Sequence, residues 1–242
     1  MRILLILLLI LLGTGPLADA PVRAEATTRA GCVTPHPPQP VERVADVAEP
    51  KVAITFDEPI GSLTHGILAT FERFGMSGTF YAVGDQVRRS PAKARAILDA
   101  GHEVGNHSWK HTDLTTLTPA QAREDLRRTN RKIRSVTGFR PCTFRPPGGA
   151  ANEKVTRLAN SLALLHVNWT RVIDPFTEDP EAVCANALDD VERGDIVLLH
   201  QVPYSAEALP CILRGLRDHG LRSVPVARLL GGDFTTRERP RP

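Results

Sequence analysis

The chain has 242 residues, of which 42% are apolar and 24% are charged, so it is long enough to bury one sizeable core. Its formal charge is only +3, and its Lys and Arg residues are scattered rather than gathered in runs. We therefore expect one globular domain, of a size common among enzymes, and no nucleic-acid partner.

The first residues are typical of an export signal. Arg2 precedes an almost continuous Leu/Ile run that ends at Leu12, which is too short to span a bilayer but has the length of a signal-peptide core. We predict a signal peptide over residues 1–26, cleaved after Ala20 or after Ala26. The mature protein is then expected to be secreted or periplasmic, without stable membrane insertion. An uncleaved anchor is the alternative.

Four cysteines follow the predicted signal peptide, and an even number suits an oxidising compartment. No pair has the close spacing of a cysteine zinc site, so two disulfides are favoured over a metal site. Three pairings are open. The four residues are Cys32, Cys142, Cys184 and Cys211.

Domain boundaries follow from composition. Residues 27–50 contain five prolines and little periodicity, which predicts a linker or an extended arm. The globular domain is predicted over residues 51–232, and residues 233–242 are expected to form a flexible tail.

Within that domain, β-rich runs alternate with helical segments. Strands are predicted at 52–56, 78–83, 102–104, 142–145, 163–169, 195–200 and 223–226. Helices are predicted near 62–74, from Ser90-Pro91 to Gly101, from the capping box at 118–121 to Gly138, and over 179–194 and 205–220. The alternation predicts an α/β fold with a parallel sheet, open or barrel-shaped.

Polar residues concentrate where these strands end, which is where active residues gather in parallel α/β folds. The residues at this predicted rim are Asp57, Glu58, His107, His111, Arg145 and His200.

His107 and His111 are four residues apart, so a helical turn would bring both imidazoles to one metal ion. A carboxylate from Asp57 or Glu58 would complete a set of two histidines and one carboxylate that leaves positions open for water and substrate. His-Ser-Trp-Lys-His lacks the Glu of the H-E-x-x-H motif, so the base must come from elsewhere. Two surface histidines and an acidic helix cap are the alternative interpretation.

Four motifs in this order resemble those of the polysaccharide deacetylase family, the NodB-homology carbohydrate esterases: T-F-D-E, N-H-S-W-K-H, F-R-P-P-G-G and I-V-L-L-H. The similarity covers about residues 51–230. It implies a distorted (β/α) barrel, a divalent metal ion, and removal of acetyl groups from an N- or O-acetylated sugar polymer.

The resemblance also assigns roles to the first acids and histidines. Asp57 matches the family's catalytic base, and Arg145 matches the arginine that orients it. His107 and His111 match the two metal-binding histidines. Glu58 stands where a metal-binding Asp is usual.

At the other strand ends, His200 matches the histidine that acts as general acid, and Leu199 matches the leucine that shapes the pocket for the acetyl methyl group. Pro146, Trp169 and Asp174 are the expected substrate-binding residues. The family's Asp-Trp motif is only partly kept, because Pro175 follows Asp174.

The expected cofactor is a divalent metal ion, with zinc favoured and cobalt or nickel as alternatives. The expected partner is an acetylated glycan such as peptidoglycan or a chitin-like polymer, and the protein is expected to be a monomer. The Glu58 substitution leaves a catalytically silent carbohydrate-binding protein as an alternative. A metal-dependent amidase for small molecules is a third hypothesis.

Overall fold

The computed structural model describes residues 31–236, except residues 36, 38 and 59. The predicted signal peptide, the first residues of the predicted arm and the end of the predicted tail from residue 237 lie outside the described residues.

A curled parallel sheet forms the centre of the fold. Its strands run in the order β6-β5-β4-β3-β2-β8-β7, and β9 pairs with the start of β2. The eight strands are β2 (Lys51–Asp57), β3 (Thr79–Ala82), β4 (Glu103–Asn106), β5 (Thr143–Phe144), β6 (Leu165–His166), β7 (Arg171–Val172), β8 (Ile196–His200) and β9 (Arg222–Ser223). The sheet curls as a half-barrel, so the predicted distorted barrel is confirmed.

Helices connect and cover these strands. They are α1 (Thr64–Phe74), α2 (Gly84–Arg89), α3 (Pro91–Asp99), α4 (Pro119–Thr137), α5 (Glu153–Ser161), α6 (Pro180–Leu188), α7 (Pro203–Asp218) and α8 (Val226–Leu229). The capping box predicted at the start of α4 is present, and Gly138 ends that helix with φ 75°. Only glycine adopts this left-handed conformation without strain.

The alternation of side chains along β2 separates the core from the site. Ile54 and Phe56 point to the helical layer, where the Phe56 ring stacks on that of Phe80. Thr55 and Asp57 point to the opposite side, because successive residues of a strand face opposite ways. The inner side of the curled sheet therefore receives the polar residues of β2.

Three predicted elements differ from the structure near its carboxyl-terminal half. α6 ends at Leu188 rather than Gly194, since the Arg171 guanidinium takes up the carbonyls of Asp189 and Asp190 that would continue the helix. α7 begins at Pro203, two residues before the predicted start at Ser205.

The last predicted strand is also shorter than expected. β9 stops at Ser223, and Pro225 then precedes α8. Proline has no N–H to donate to a ladder and is well placed before a helix, so it ends the strand.

The predicted arm and tail are joined in the structure. β1 (Gly31–Val33) pairs antiparallel with β10 (Asp233–Thr235), so the described start of the predicted tail is a strand rather than flexible chain. A disulfide joins Cys32 to Cys142, and a second joins Cys184 to Cys211. Two disulfides were predicted, and the structure selects one of the three pairings.

The rest of the arm lies along the sheet. Val41 exchanges backbone hydrogen bonds with His166 and Asn168 beside β6, and Arg43 forms an ion pair with the buried Asp195 at 2.9 Å. Val41 and Arg43 therefore attach the described part of the arm to the domain. In the part of the chain that the structure describes, no helix combines the length and the apolar character needed to cross a membrane.

Candidate active site

Asp57 and Arg145 form a buried ion pair at the carboxyl ends of β2 and β5. The Arg145 Nη1 donates to Asp57 Oδ1 at 2.9 Å, and the two side chains are 0% and 5% exposed. A guanidinium at this distance donates a charge-assisted hydrogen bond to Asp57 and fixes the direction of its oxygens.

Arg145 is held by a full set of acceptors. It also donates to Thr55 Oγ1 at 2.7 Å, to the carbonyl of Asn168 at 2.8 Å and to that of Val167 at 3.4 Å. Its guanidinium lies over the ring of Tyr81, with 4.2 Å between the guanidinium carbon and the ring centroid. The buried charge is thus satisfied and cannot swing away from Asp57.

His107 is oriented by a backbone carbonyl. Its Nδ1 lies 2.8 Å from the carbonyl oxygen of Arg145, which can only accept, so the proton is on Nδ1. This hydrogen bond leaves the Nε2 lone pair free, as in a metal-binding histidine. Burial lowers the pKa of His107, which favours the neutral imidazole.

His111 is brought close to His107 by a non-helical turn rather than by the predicted helical turn. Ser108 and His111 have φ of 60° and 58°, a strained conformation for residues other than glycine. Trp109 holds this turn: its N–H donates to Asp125 Oδ1 at 2.8 Å, and its carbonyl accepts from the N–H of Asp85 at 3.0 Å.

Glu58 reaches the histidines despite its extra methylene. Its Oε1 lies 2.8 Å from the Nε2 of His111. The Gln201 N–H donates to the Glu58 carbonyl at 3.0 Å, and the Gln86 side chain accepts from the N–H of Ile60 at the same distance. The segment that carries Glu58 is therefore anchored on both sides of the carboxylate.

Glu58, His107 and His111 fit a divalent cation. Each offers one ligand atom, and these atoms all lie within 4.8 Å of one another. Two imidazoles and one carboxylate suit zinc, cobalt or nickel and leave positions open for substrate and water. Asp57 adjoins this set, with 3.7 Å between its Oδ2 and the Nε2 of His107.

His200 ends β8 on the other side of Asp57, and the two residues are paired in the strand register. Its Nδ1 donates to Asp174 Oδ1 at 2.7 Å, and Ser205 Oγ donates to the other carboxylate oxygen at 2.6 Å. Burial lowers the pKa of His200, but the hydrogen bond and charge of Asp174, with Asp57 and Glu58, outweigh it and raise the pKa above its ordinary value.

This geometry corrects the prediction for Asp174. The residue is only 2% exposed and lies against His200, so it cannot serve as a substrate-binding surface. Its position instead fixes the His200 ring and leaves Nε2 directed away from the carboxylate.

The prediction that Leu199 shapes the acetyl-methyl pocket is also wrong, because its side chain faces the other side of the strand. Leu199 is fully buried in the apolar core, on the opposite side of β8 from His200. Leu198, two residues before His200, shares its side of the strand because the side-chain period is two. Leu198 is therefore the candidate for an acetyl-methyl pocket.

Trp169 and Pro146 lie beside the same rim. The Trp169 ring centroid is 5.6 Å from the Arg145 guanidinium, and a Cβ added to Gly149 would stand 2.8 Å from that ring. The half-buried Trp169 thus packs against the P-P-G-G turn and stays a candidate contact for a sugar. Pro146 is buried, and its carbonyl accepts from the N–H of Gly149 at 3.0 Å.

The site residues that were not anticipated include Thr55, Gln86, Gln201 and Ser205. Thr55 carried a usable signal, since it lies two residues before Asp57 and so shares its side of the strand. The other three contact residues 26 or more positions away in sequence, and no local pattern indicates them.

Comparison of the chain with known proteins identifies its family. The family profile described as "Polysaccharide deacetylase" matches residues 45–167. The chain belongs to the polysaccharide deacetylase family, carbohydrate esterase family 4, whose members are hydrolases acting on carbon–nitrogen bonds in glycans.

Two relatives illustrate the similarity. The peptidoglycan-N-acetylglucosamine deacetylase PgdA of Listeria monocytogenes is 33% identical over 184 residues, which are 75% of this chain and 39% of PgdA. A peptidoglycan-N-acetylglucosamine deacetylase of Bacillus cereus is 30% identical over 187 residues, 74% of this chain and 87% of the relative. The chain thus spans well under half of the length of PgdA.

Among solved structures, wild-type BA3943 of Bacillus anthracis, described as a family 4 pseudoenzyme, has a TM-score of 0.76 and 27% identity. The match covers 80% of this chain and 69% of BA3943. A BA3943 mutant described as having restored enzymatic activity matches with the same TM-score and 28% identity, over 80% of this chain and 72% of the mutant.

Proposed function

We propose that the protein is an exported, metal-dependent deacetylase that hydrolyses acetyl groups from an N-acetylated polysaccharide, with O-acetylated sugars as a further substrate class. One observation carries the proposal: Glu58, His107 and His111 converge within 4.8 Å, next to a buried Asp57–Arg145 pair. A carboxylate base beside a set of metal donors is what hydrolysis of an acetamide requires.

A bound cation would be held by Glu58, His107 and His111, and it supplies polarisation of the acetyl carbonyl and a more acidic water. Asp57 accepts a proton from the attacking water, since its carboxylate is oriented by the hydrogen bond from Arg145. The tetrahedral carbon then collapses when the departing nitrogen receives a proton.

His200 is placed to donate that proton. Its Nδ1 is hydrogen-bonded to Asp174, so the proton that can be transferred to the departing nitrogen is on Nε2. The raised pKa keeps the imidazolium populated near neutral pH, as a general acid needs. Acetate and the free amine of the sugar are the products, and His200 regains its proton from water.

Peptidoglycan is the favoured substrate, because relatives that match this chain over 72–75% of its length are named peptidoglycan deacetylases. Chitin-like glycans present the same acetamide and remain the alternative. Zinc is the favoured metal, with cobalt or nickel next.

A secreted or periplasmic location is supported by the two disulfides, since such bonds persist in oxidising compartments. We further propose that the protein acts as a monomer.

The test is acetate release from a glycan panel of peptidoglycan, N-acetylglucosamine oligomers and acetylated xylan. Each glycan is incubated with metal-stripped protein and with the same protein after addition of zinc, cobalt or nickel. We expect release that requires the metal and is abolished in Asp57→Asn. No release from any glycan with any metal would refute the proposal.

A catalytically silent carbohydrate-binding protein is the second candidate. Glu58 in place of the usual Asp favours it, as does the similarity to BA3943, which is described as a pseudoenzyme. This candidate predicts glycan binding that is insensitive to chelators and to Asp57→Asn, with no acetate released by the wild type or by Glu58→Asp.

A further inference from the structure

Positive charge concentrates on α4 and the loop that follows it. Residues 119–140 contain seven Lys or Arg and two Asp or Glu, so this stretch has a formal charge of +5, against +3 for the whole chain. The remaining residues together are therefore net negative. The expectation that basic residues are scattered evenly is wrong for this stretch, and the proposed chemistry makes no use of it.

Four of these guanidinium groups line one cavity of about 300 Å³, called the arginine cavity below. Arg127, Arg131 and Arg134 lie on the same side of α4, at spacings of four and three residues. The remaining described walls are Asn130, Arg140, Pro141 and Leu162.

Helix stability does not account for this grouping. Like charges three or four residues apart destabilise a helix. Within residues 31–236 as described, only Arg131 of the four has a carboxylate at ion-pair distance, that of Glu124. Arg127, Arg134 and Arg140 thus keep their donors unused within this part of the chain, which is expected where an anion binds.

The walls of the cavity are held in place. Pro141 precedes Cys142, which is tied to Cys32 by a disulfide. The Asn130 side chain accepts from Asn106 Nδ2 at 2.7 Å, and Asn106 directly precedes His107. The cavity therefore adjoins the strand that leads to the metal-binding turn and stands on rigid elements.

We propose that the arginine cavity binds carboxylate groups of an acidic glycan polymer, such as peptide-bearing peptidoglycan, outside the metal site. The planar guanidinium presents paired N–H donors that match a carboxylate. This rests on the proposed function, since it narrows the polymer being deacetylated to one that carries acidic groups.

Other anionic partners fit less well. None of the described walls is aromatic, whereas single-stranded nucleic acids are bound by stacking on aromatic rings. The exposed large apolar side chains of the described residues are Val33 and Phe176, and neither lines the cavity. A membrane surface is bound more strongly when apolar side chains accompany the charges.

The test is co-sedimentation of the full chain, loaded with zinc, with insoluble peptidoglycan that retains its peptides and with the same material after carbodiimide coupling to ammonia, which converts its carboxylates to neutral amides. The variant is Arg127→Gln/Arg131→Gln/Arg134→Gln, in which glutamine keeps a high helix propensity. The matched control, Arg73→Gln/Arg214→Gln/Arg217→Gln, removes the same charge from exposed positions on α1 and α7. Thermal unfolding checks that both variants are folded.

We expect the wild type and the control to bind the unmodified peptidoglycan about tenfold or more tightly than the amidated peptidoglycan, with weaker binding at high salt. The α4 variant is expected to lose that preference while its deacetylation of neutral N-acetylglucosamine oligomers is unchanged. Equal binding of both materials by the wild type, or an unchanged preference in the α4 variant, would overturn the proposal. The proposal would also be overturned if the protein showed no preference between the two glycans but bound phosphatidylglycerol vesicles through the three arginines.

Failure of the proposed function would be recognised separately. In that case neither the wild type nor any variant would release acetate from any glycan. The preference in sedimentation could still be observed, because it does not depend on turnover.

Discussion

The imidazole of His200 donates from Nδ1 to a buried oxygen of Asp174 at 2.7 Å, and this pair links the end of β8 to the loop after β7. The carboxylate raises the pKa of His200 against the effect of burial. At a given pH, a larger fraction of His200 is therefore protonated than of a free imidazole, which suits its proposed role as a proton donor.

Asp174→Asn tests this pair through the pH profile. Asparagine keeps the shape but removes the charge, so the pKa of His200 falls and the alkaline limb of kcat moves to lower pH. Turnover at pH 7 is expected to drop by about ten- to a hundredfold, within the usual contribution of a general acid. An unchanged alkaline limb would show that Asp174 does not control the proton on His200.

Glu58→Asp tests whether the site is built for glutamate. Gln201 and Gln86 anchor the backbone around residue 58, so a shorter carboxylate would fall more than about one ångström short of its position beside His111, beyond the tolerance of a metal site. We expect weaker zinc binding by calorimetry in Glu58→Asp than in the wild type, and a further loss in Glu58→Ala. Much tighter binding in Glu58→Asp would identify the natural chain as metal-poor.

Leu198→Ala and Leu199→Ala form a matched pair on the two sides of β8. Leu199 lies in the apolar core, so its truncation is expected to lower the free energy of unfolding by about 2–5 kcal/mol with little change in substrate choice. Leu198→Ala is expected to improve turnover of a propionyl substrate relative to an acetyl one by roughly tenfold or more. If Leu199→Ala alone relaxed acyl selectivity, the assigned orientation of the strand would be wrong.

Two buried histidines predict a loss of stability in acid. Burial lowers the pKa of His102 from 6.5 to about 3 and that of His166 to about 4. Below pH 6.5 the unfolded chain binds more protons at these residues than the folded chain, so stability falls as the pH decreases towards about 4. Each histidine contributes up to about 1.4 kcal/mol per pH unit.

His102→Gln isolates this contribution in urea unfolding at pH 7 and pH 5. Glutamine does not titrate, so the difference in stability between the two pH values should shrink, whereas the exposed His219→Gln should leave it unchanged. Burial raises the pKa of Glu103, which changes the stability with pH in the opposite direction. The contribution of His102 is therefore measured as the difference between the wild type and the variant. Equal pH dependence in the wild type and His102→Gln would contradict the explanation.

Much of the fold was predictable because each signal was local. The capping box at Thr118, the glycine at 138 and the apolar run before Asp57 each specify one element through its own residues. The rim residues followed from topology, since parallel strands bring their carboxyl ends to one edge.

What could not be predicted depends on contacts between distant residues. Asp174 lies against His200 across 26 residues, and the loop holding Glu58 is anchored by Gln86 and Gln201 from other elements. The pairing of β1 with β10 joins the two ends of the described chain. The error at Leu199 has a simpler origin: a shift of one residue along a strand reverses the side that a side chain faces.

The most direct test measures acetate released from peptidoglycan by metal-stripped protein after titration with zinc, in parallel for the wild type and Asp57→Asn. We expect release by the wild type to rise with zinc and saturate near one equivalent. Asp57→Asn is expected to bind zinc but to release acetate at least about a hundredfold more slowly. Zinc binding without any release by the wild type, or equal release by both proteins, would contradict the assignment of a deacetylase site to Asp57, Glu58, His107 and His111.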